Sequence, residues 1–388
     1  MANMTDPALA PIADKVHAGQ RLSGADGLAL LRTRDIWTLG QLAHHVRLAR
    51  HGRATYYNIN RHLNYSNICA LSCKFCAFHR KRGDAGAYEF SIDQVVAQAR
   101  DAADKGATEM HIVGGLHPWL GFDYYTDMLR AIRDAAPGLH IKAFTAVEIV
   151  HLARISKRPR DLHAVLTDLK DAGLGSIPGG GAEVFDDRVH DEVFKGKIRS
   201  DKWLDVHRVA HEIGLCSNAT MLYGHVESHE DRIRHLCLLR QAQDEAIDPG
   251  HAGRFQTLIP LPFVPDDSEL EHLHGPTGLE DLKMLAVARL MLDNFAHIKA
   301  FWIMQTLELA QLSLDWGVND IDGTVVWYDI TKVGGAGNHQ EVTVDALCRV
   351  IREAGYEPVE RDTLYRRVER DGAAWRISDA AELATAGG

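Results

Sequence analysis

No stretch of this sequence approaches the roughly 20 apolar residues that a helix needs to span a bilayer. The first residues, MANMTDPALAPIADKVHAGQ, lack both a basic start and an apolar core. They do not read as a secretory signal, and the expected compartment is the cytoplasm. An excess of positive charge is missing too: 43 basic residues stand against 53 acidic ones, a net charge of -10. That speaks against a protein whose work is gripping a nucleic-acid backbone, which calls for a basic face. Neither a membrane nor a nucleic acid is therefore an expected partner. Cysteine is scarce as well, and 6 in 388 residues are too few for a disulfide scaffold. A chain of this length, 46% hydrophobic, buries a core without such help. No low-complexity linker divides it, and no tandem repeat is visible.

What is present is alternation. Residues 1–54 carry helical spacing, as in DGLALLRTRDIWTLGQLAHHVRLARHG, and read as a helical preface with Gly52 near its end. Beyond them, short extended runs (ATYYNINRHLNY, ATEMHIVGG, HIKAFTA, LGSIPGGG, SNATMLYG, RFQTLIPLPF, IKAFWIM, DGTVVWYDI) alternate with longer amphipathic ones such as SIDQVVAQARDAADKG. Ser91 precedes Gln94 by three and Thr277 precedes Glu280 by three, the spacing of a capping box. Strand and helix in repeated succession mean parallel strands joined by right-handed crossovers. With up to eight strands, the expected fold is an α/β, TIM-like (β/α) barrel of parallel strands, incomplete or with a short last unit. A doubly wound open sheet is the competitor. The expected division is a helical extension at 1–54, a barrel at 55–335 and a C-terminal tail at 336–388. In such barrels the chemistry sits where strands end. Polar and glycine-rich punctuation falls there: Asn64 to Cys76, Gly114–Gly115, Thr145 to Glu148, Gly179 to Gly181, and Tyr223 to His225.

Three of the six cysteines crowd into eight residues, in NYSNICALSCKFCAFHRKRG, with the spacing Cys69-x3-Cys73-x2-Cys76. Three thiolates on one loop admit two metal sites. With His79 as a fourth ligand they make a Cys3His zinc site. A [4Fe–4S] cluster would be left with one iron free of protein ligands, which suits binding and reducing a substrate. A third reading takes them as small buried residues of a strand–loop–helix unit.

The spacing, with Phe75 just before the last cysteine, resembles the signature of the radical S-adenosylmethionine superfamily. The resemblance implies that the open iron chelates S-adenosylmethionine and that one electron cleaves it to methionine and a 5′-deoxyadenosyl radical. It also implies a reducing electron donor such as flavodoxin or ferredoxin. The runs GATEMHIVGGLHP, HIKAFTAVEI, IPGGGAEVF, SNATMLYGH and IKAFWIM are similar to those of the aminofutalosine synthase family of menaquinone biosynthesis, over roughly residues 55–335. Enzymes of that kind add the adenosyl radical to the enol ether of 3-[(1-carboxyvinyl)oxy]benzoate with loss of a carboxylate. The sister cyclase that makes cyclic dehypoxanthine futalosine and the deazaflavin synthases share much of the pattern. A non-catalytic zinc or iron–sulfur protein is the alternative outside the enzymes.

By the same resemblance, Gly114 and Gly115 form the turn that approaches the cofactor's amino group, and a tight strand-to-helix turn is the plainer reading. Glu148, after Thr145, is expected to accept from the cofactor, against a role as an acid at a helix start. Ser176 is a candidate ribose contact, against a core or turn serine. The small-molecule substrate carries two carboxylates, so the mouth should offer cationic or amide groups. Arg80, His117, Asn218, His225 and Gln256 are the candidates, each also readable as an ordinary polar loop residue. Lys142 and Lys299 are expected to point outward, and no single catalytic residue emerges.

Overall fold

The structure, a computed structural model, describes residues 4–325 and 341–378. Three helices open the chain: α1 (Ala10–His17), α2 (Gly24–Arg32) and α3 (Ile36–His51). Ser23 starts α2 with a reciprocal capping box and Asp35 caps α3, while Gly52 ends α3 at φ 55°, a backbone conformation glycine adopts without strain.

The expected first extended run is two strands in two sheets, β1 (Ala54–Asn58) and β2 (Asn60–Leu63). After β2 come α4 (Ile92–Asp104), β3 (Glu109–Ile112), α5 (Phe122–Ala135), β4 (His140–Ala143), α6 (Ala146–Ile155), α7 (Leu162–Ala172) and β5 (Ser176–Ile177). Then follow α8 (Asp187–Val193), α9 (Ser200–Glu212), β6 (Cys216–Tyr223), α10 (His229–Ile247), β7 (Phe255–Pro262), α11 (Gly278–Met291) and β8 (His297–Ile298). Strands β2 to β8 form one all-parallel seven-stranded sheet in chain order, the curled sheet of a TIM-like barrel. Ser91 and Gln94 cap α4 reciprocally, as their spacing predicts, whereas Thr277 accepts from the Glu280 N–H without the return bond.

The run IKAFWIM is strand only at its start. Past Phe301 it turns into α12 (Trp302–Gln305) and α13 (Leu307–Ser313). Next comes β9 (Asp320–Gly323), which takes in the first two residues of DGTVVWYDI; Thr324 and Val325 follow it, and residues 326–330 of that run lie outside the described residues. β1 lies between β9 and β10 (Glu357–Glu360) in a parallel three-stranded sheet. This second sheet reaches both free edges of the seven strands. Lys299, just past β8, bridges to Asp320, and Asn60 of β2 bonds Thr324 and Val325. The described C-terminal residues add α14 (Val344–Glu353), β10 on the outer side of β1, and the hairpin of β11 (Val368–Asp371) and β12 (Ala374–Ile377). Arg361 anchors them, its fully buried guanidinium 2.6 Å from Asp320.

Candidate active site

The cysteine loop runs from the end of β2 to the start of α4 and is stitched down at many points. The Asn64 amide donates to the Val113 carbonyl at 2.9 Å, and the Ser66 hydroxyl to Tyr88 at 2.7 Å. The Lys81 ammonium reaches the carbonyls of Cys69, Ala70 and Leu71 at 2.9–3.3 Å, gathering the first turn around one cation. Gly114 and Gly115 press on this loop from β3. A Cβ at Gly115 would lie 2.3 Å from the Ile68 carbonyl oxygen, and one at Gly114 2.5 Å from the Tyr65 ring. Close approach, and not a left-handed turn, is what these two positions require of glycine.

All three cysteines are free and face one cavity of about 260 Å³ at the carboxyl ends of the strands. The Cys69 sulfur accepts N–H bonds from Leu71 and Leu116, both at 3.4 Å. Burial pushes the Cys73 thiol up to about 11, with the Lys197 ammonium pulling the other way. His79 lines the same cavity, but its Nδ1 meets the Cys76 carbonyl at 2.9 Å. Among the described residues no three His, Cys, Asp or Glu side chains gather around a point that one ion could fill. A zinc site needs its thiolates to converge on a single ion. A [4Fe–4S] cluster binds each thiolate to its own iron, so three free thiols that line one cavity without converging on a point fit the cluster.

Phe75, Gly114, Gly115, Thr145, Glu148 and Asn218 line this cavity, as do Gly179 to Gly181. Glu148 is committed to the protein. Its Oε1 accepts from the Tyr65 hydroxyl at 2.9 Å and the Gly114 N–H at 3.0 Å. Its Oε2 accepts from the Thr145 N–H at 2.8 Å and the Thr145 hydroxyl at 2.9 Å. Burial raises Glu148 to about 7 against these four donors. The carboxylate completes the capping box of α6 and fixes Gly114.

Five sequence candidates lie away from the cavity lining. Ser176 is fully buried with its hydroxyl 2.9 Å from the His140 ring. The Arg80 guanidinium donates to the Ala77 and His79 carbonyls at 2.8 Å within its own loop. The His117 Nδ1 accepts the Trp119 and Leu120 N–H groups while its other ring nitrogen faces Glu89 at 2.8 Å. His225 is held by Glu227 and the Leu222 carbonyl. In β7, Ile259 and Leu261 line the cavity and Gln256 does not; it lies where the pairing with β6 shifts register, between Phe255 and Leu258.

Lys142 and Lys299 reverse the expectation that they point outward, for both line the cavity. Lys142 pairs with Glu109 at 2.8 Å and Lys299 with Asp322 at 2.9 Å, all four residues buried. Lys197, paired with Glu183 and 4.8 Å above the Phe75 ring, is a third cation that sequence reasoning did not single out. Its place on the loop between α8 and α9 leaves no periodic signal. Burial would raise Glu109, but Lys142, Lys299 and Arg361 hold it well below the ordinary carboxylate range.

Comparison with known proteins defines the class. The radical SAM superfamily profile matches residues 63–239, and the CofH/MqnC C-terminal region matches residues 252–372. Two solved structures share the fold at low identity. Methylornithine synthase has a TM-score of 0.70 at 18% identity, covering 89% of this chain and 97% of that one. The FeFe-hydrogenase maturase HydG from Carboxydothermus hydrogenoformans has a TM-score of 0.67 at 16% identity, covering 92% and 80%. The chain belongs to the radical SAM superfamily. Within it, the chain is 46% identical to the aminodeoxyfutalosine synthase of Thermus thermophilus over 95% of its own length and 98% of that enzyme's. The aminodeoxyfutalosine synthase of Streptomyces coelicolor is 41% identical over 90% and 92%. The 5-amino-6-(D-ribitylamino)uracil–L-tyrosine 4-hydroxyphenyl transferase of Methanosphaerula palustris is 38% identical over 90% and 95%.

Proposed function

We propose that this protein is an aminodeoxyfutalosine synthase, a radical enzyme that transfers the adenosyl group of S-adenosylmethionine to the enol ether of 3-[(1-carboxyvinyl)oxy]benzoate with loss of a carboxylate. The observation that carries the reading is the conjunction of 46% identity along nearly the whole chain with three free cysteines facing one cavity. Cys69, Cys73 and Cys76 would hold the [4Fe–4S] cluster, which supplies the electron for cleavage of S-adenosylmethionine.

The remaining work falls to the chain's own residues. Glu148 and Thr145 hold Gly114 in place, so that the β3 turn presents its backbone to the cofactor from a fixed position. Lys197, beside Phe75, Cys73 and Cys76, sets a positive charge against the cluster wall. The apolar side chains of Val113, Leu222, Ile259, Leu261 and Phe263 line the cavity and keep water from a reactive radical. The reducing equivalent comes from a small donor such as flavodoxin or ferredoxin, in the cytoplasm. No described helix is long and apolar enough to cross a membrane.

The test is a substrate panel. The anaerobically reconstituted protein, reduced with S-adenosylmethionine, should yield an aminodeoxyfutalosine mass from the enol-ether acid and nothing from dehypoxanthine futalosine. It should yield nothing either from tyrosine with 5-amino-6-(D-ribitylamino)uracil. A product from one of those instead would move the chain to the cyclase or to the deazaflavin type.

A further inference from the structure

We infer that Lys142 and Lys299 form a two-ammonium clamp on the cavity floor that grips the ring carboxylate of the substrate and sets specificity for an aryl acid. The inference rests on the activity proposed above. The rung beneath the cofactor-facing rim is made of residues in register: His62 of β2, His111 of β3 and Lys142 of β4. Glu109 lies two residues below His111 on the same face of β3, and Lys299 joins from the opposite edge, where β8 meets β9.

Charge and hydrogen bonding single out the two lysines. Each is no more than 3% exposed. A buried ammonium carries three N–H donors, and each of these engages one partner, Glu109 for Lys142 and Asp322 for Lys299. Among the described residues each ammonium has that one partner. Both lysines line the same cavity, each with its own carboxylate beside it. Each lysine is already neutralised by its own carboxylate. What the floor offers an incoming anion is therefore not net charge but directed, dehydrated N–H donors, which discriminate between a carboxylate and its neutral isostere.

The orientation follows from the cavity's two ends. The cysteines lie at the mouth, on the loop after β2, whereas Lys142 is in β4 and Lys299 directly follows β8, so the reacting enol ether faces the mouth and the retained ring carboxylate faces the floor. Phe301 and His62, with ring planes 16° apart, line the wall at that level and offer a flat face to the aryl ring.

The test is calorimetric titration, under anaerobic conditions, of the substrate and of its ring carboxamide into the reconstituted protein. Wild type is compared with the charge-neutral pairs Glu109→Gln/Lys142→Gln and Asp322→Asn/Lys299→Gln, which remove each ammonium together with its counter-charge. Wild type should bind the acid roughly 100-fold more tightly than the carboxamide, the scale of one or two charge-assisted hydrogen bonds. Each double variant should bind the two within about threefold, through lost acid affinity. If a pair melts early, Lys142→Arg and Lys299→Arg keep the charge and should keep the acid preference, and loss of that preference in both would overturn the clamp. An equal acid preference in wild type and both pairs would also overturn it. Product mass from wild type is read alongside. Adduct formation without any acid preference overturns the clamp alone. Acid preference without adduct overturns the proposed activity and leaves the clamp as an aryl-carboxylate site.

Discussion

The Tyr65 hydroxyl donates to the Glu148 carboxylate at 2.9 Å, and through this one bond the cysteine loop is fastened to the start of α6. The same oxygen takes the Gly114 N–H, so loop, turn and helix share a single acceptor. Tyr65→Phe removes a hydrogen bond to a buried carboxyl group and should cost about 1–2 kcal/mol in chemical denaturation. Glu148→Ala orphans four donors together and should cost more. Wild-type stability in both variants would mean that the junction carries no load.

Two adjacent glycines should behave differently from a third nearby. A Cβ at Gly115 meets a backbone carbonyl at 2.3 Å, which cannot turn aside, while nothing lies within 4 Å of one at Gly121. Gly115→Ala and Gly114→Ala should each destabilise by about 1–3 kcal/mol through overpacking. Gly115→Ala should in addition lower the iron taken up on reconstitution, because Ile68 and Cys69 must shift together. Gly121→Ala is the control, with full iron content. Equal iron in all three, by metal analysis, would refute the coupling.

Buried histidines make the fold sensitive to mild acid. Burial lowers His51, His211 and His235 to about 3 and His62 and His140 to about 4, against an ordinary value of 6.5. The folded chain therefore refuses protons that the unfolded chain accepts. Stability is full above about 6.5 and falls as pH drops from there towards 4. Each such histidine contributes about 2 kcal/mol of this loss between pH 6.5 and 5. His235 bonds the Thr220 carbonyl at 3.0 Å and accepts the Phe185 N–H at 3.2 Å. His235→Gln should be less stable than wild type at pH 7.5, with the gap narrowing by about 2 kcal/mol at pH 5. A gap that stays constant in denaturation across that range would contradict the assignment.

The cysteine spacing and the strand–helix alternation are local signals, and both survive into the structure as one loop at the carboxyl end of a parallel sheet. The Ser91–Gln94 box is local as well. Side-chain direction is not. In HIKAFTA, Ile141 and Ala143 pack among the hydrophobic residues while Lys142 turns to the cavity. That polarity, apolar outward and charged inward, is set by barrel closure and cannot be read from one strand alone. Ser176, His117 and His225 share a different reason. Each has a polar atom bonded to a neighbour, the His140 ring, the Trp119–Leu120 backbone and the Leu222 carbonyl, whose positions follow from the path of the folded chain. The split of ATYYNINRHLNY into two sheets depends on β9 and β10, strands more than 250 residues away.

The central claim is that the adenosyl group ends in the product. Reconstituted protein, reduced with S-adenosylmethionine labelled with carbon-13 in the adenosyl ribose and given 3-[(1-carboxyvinyl)oxy]benzoate, should form an adduct bearing the label. One adenosyl should be incorporated for each methionine released, and Cys73→Ala should form none. Labelled 5′-deoxyadenosine released in step with methionine, with no labelled adduct, would contradict the account.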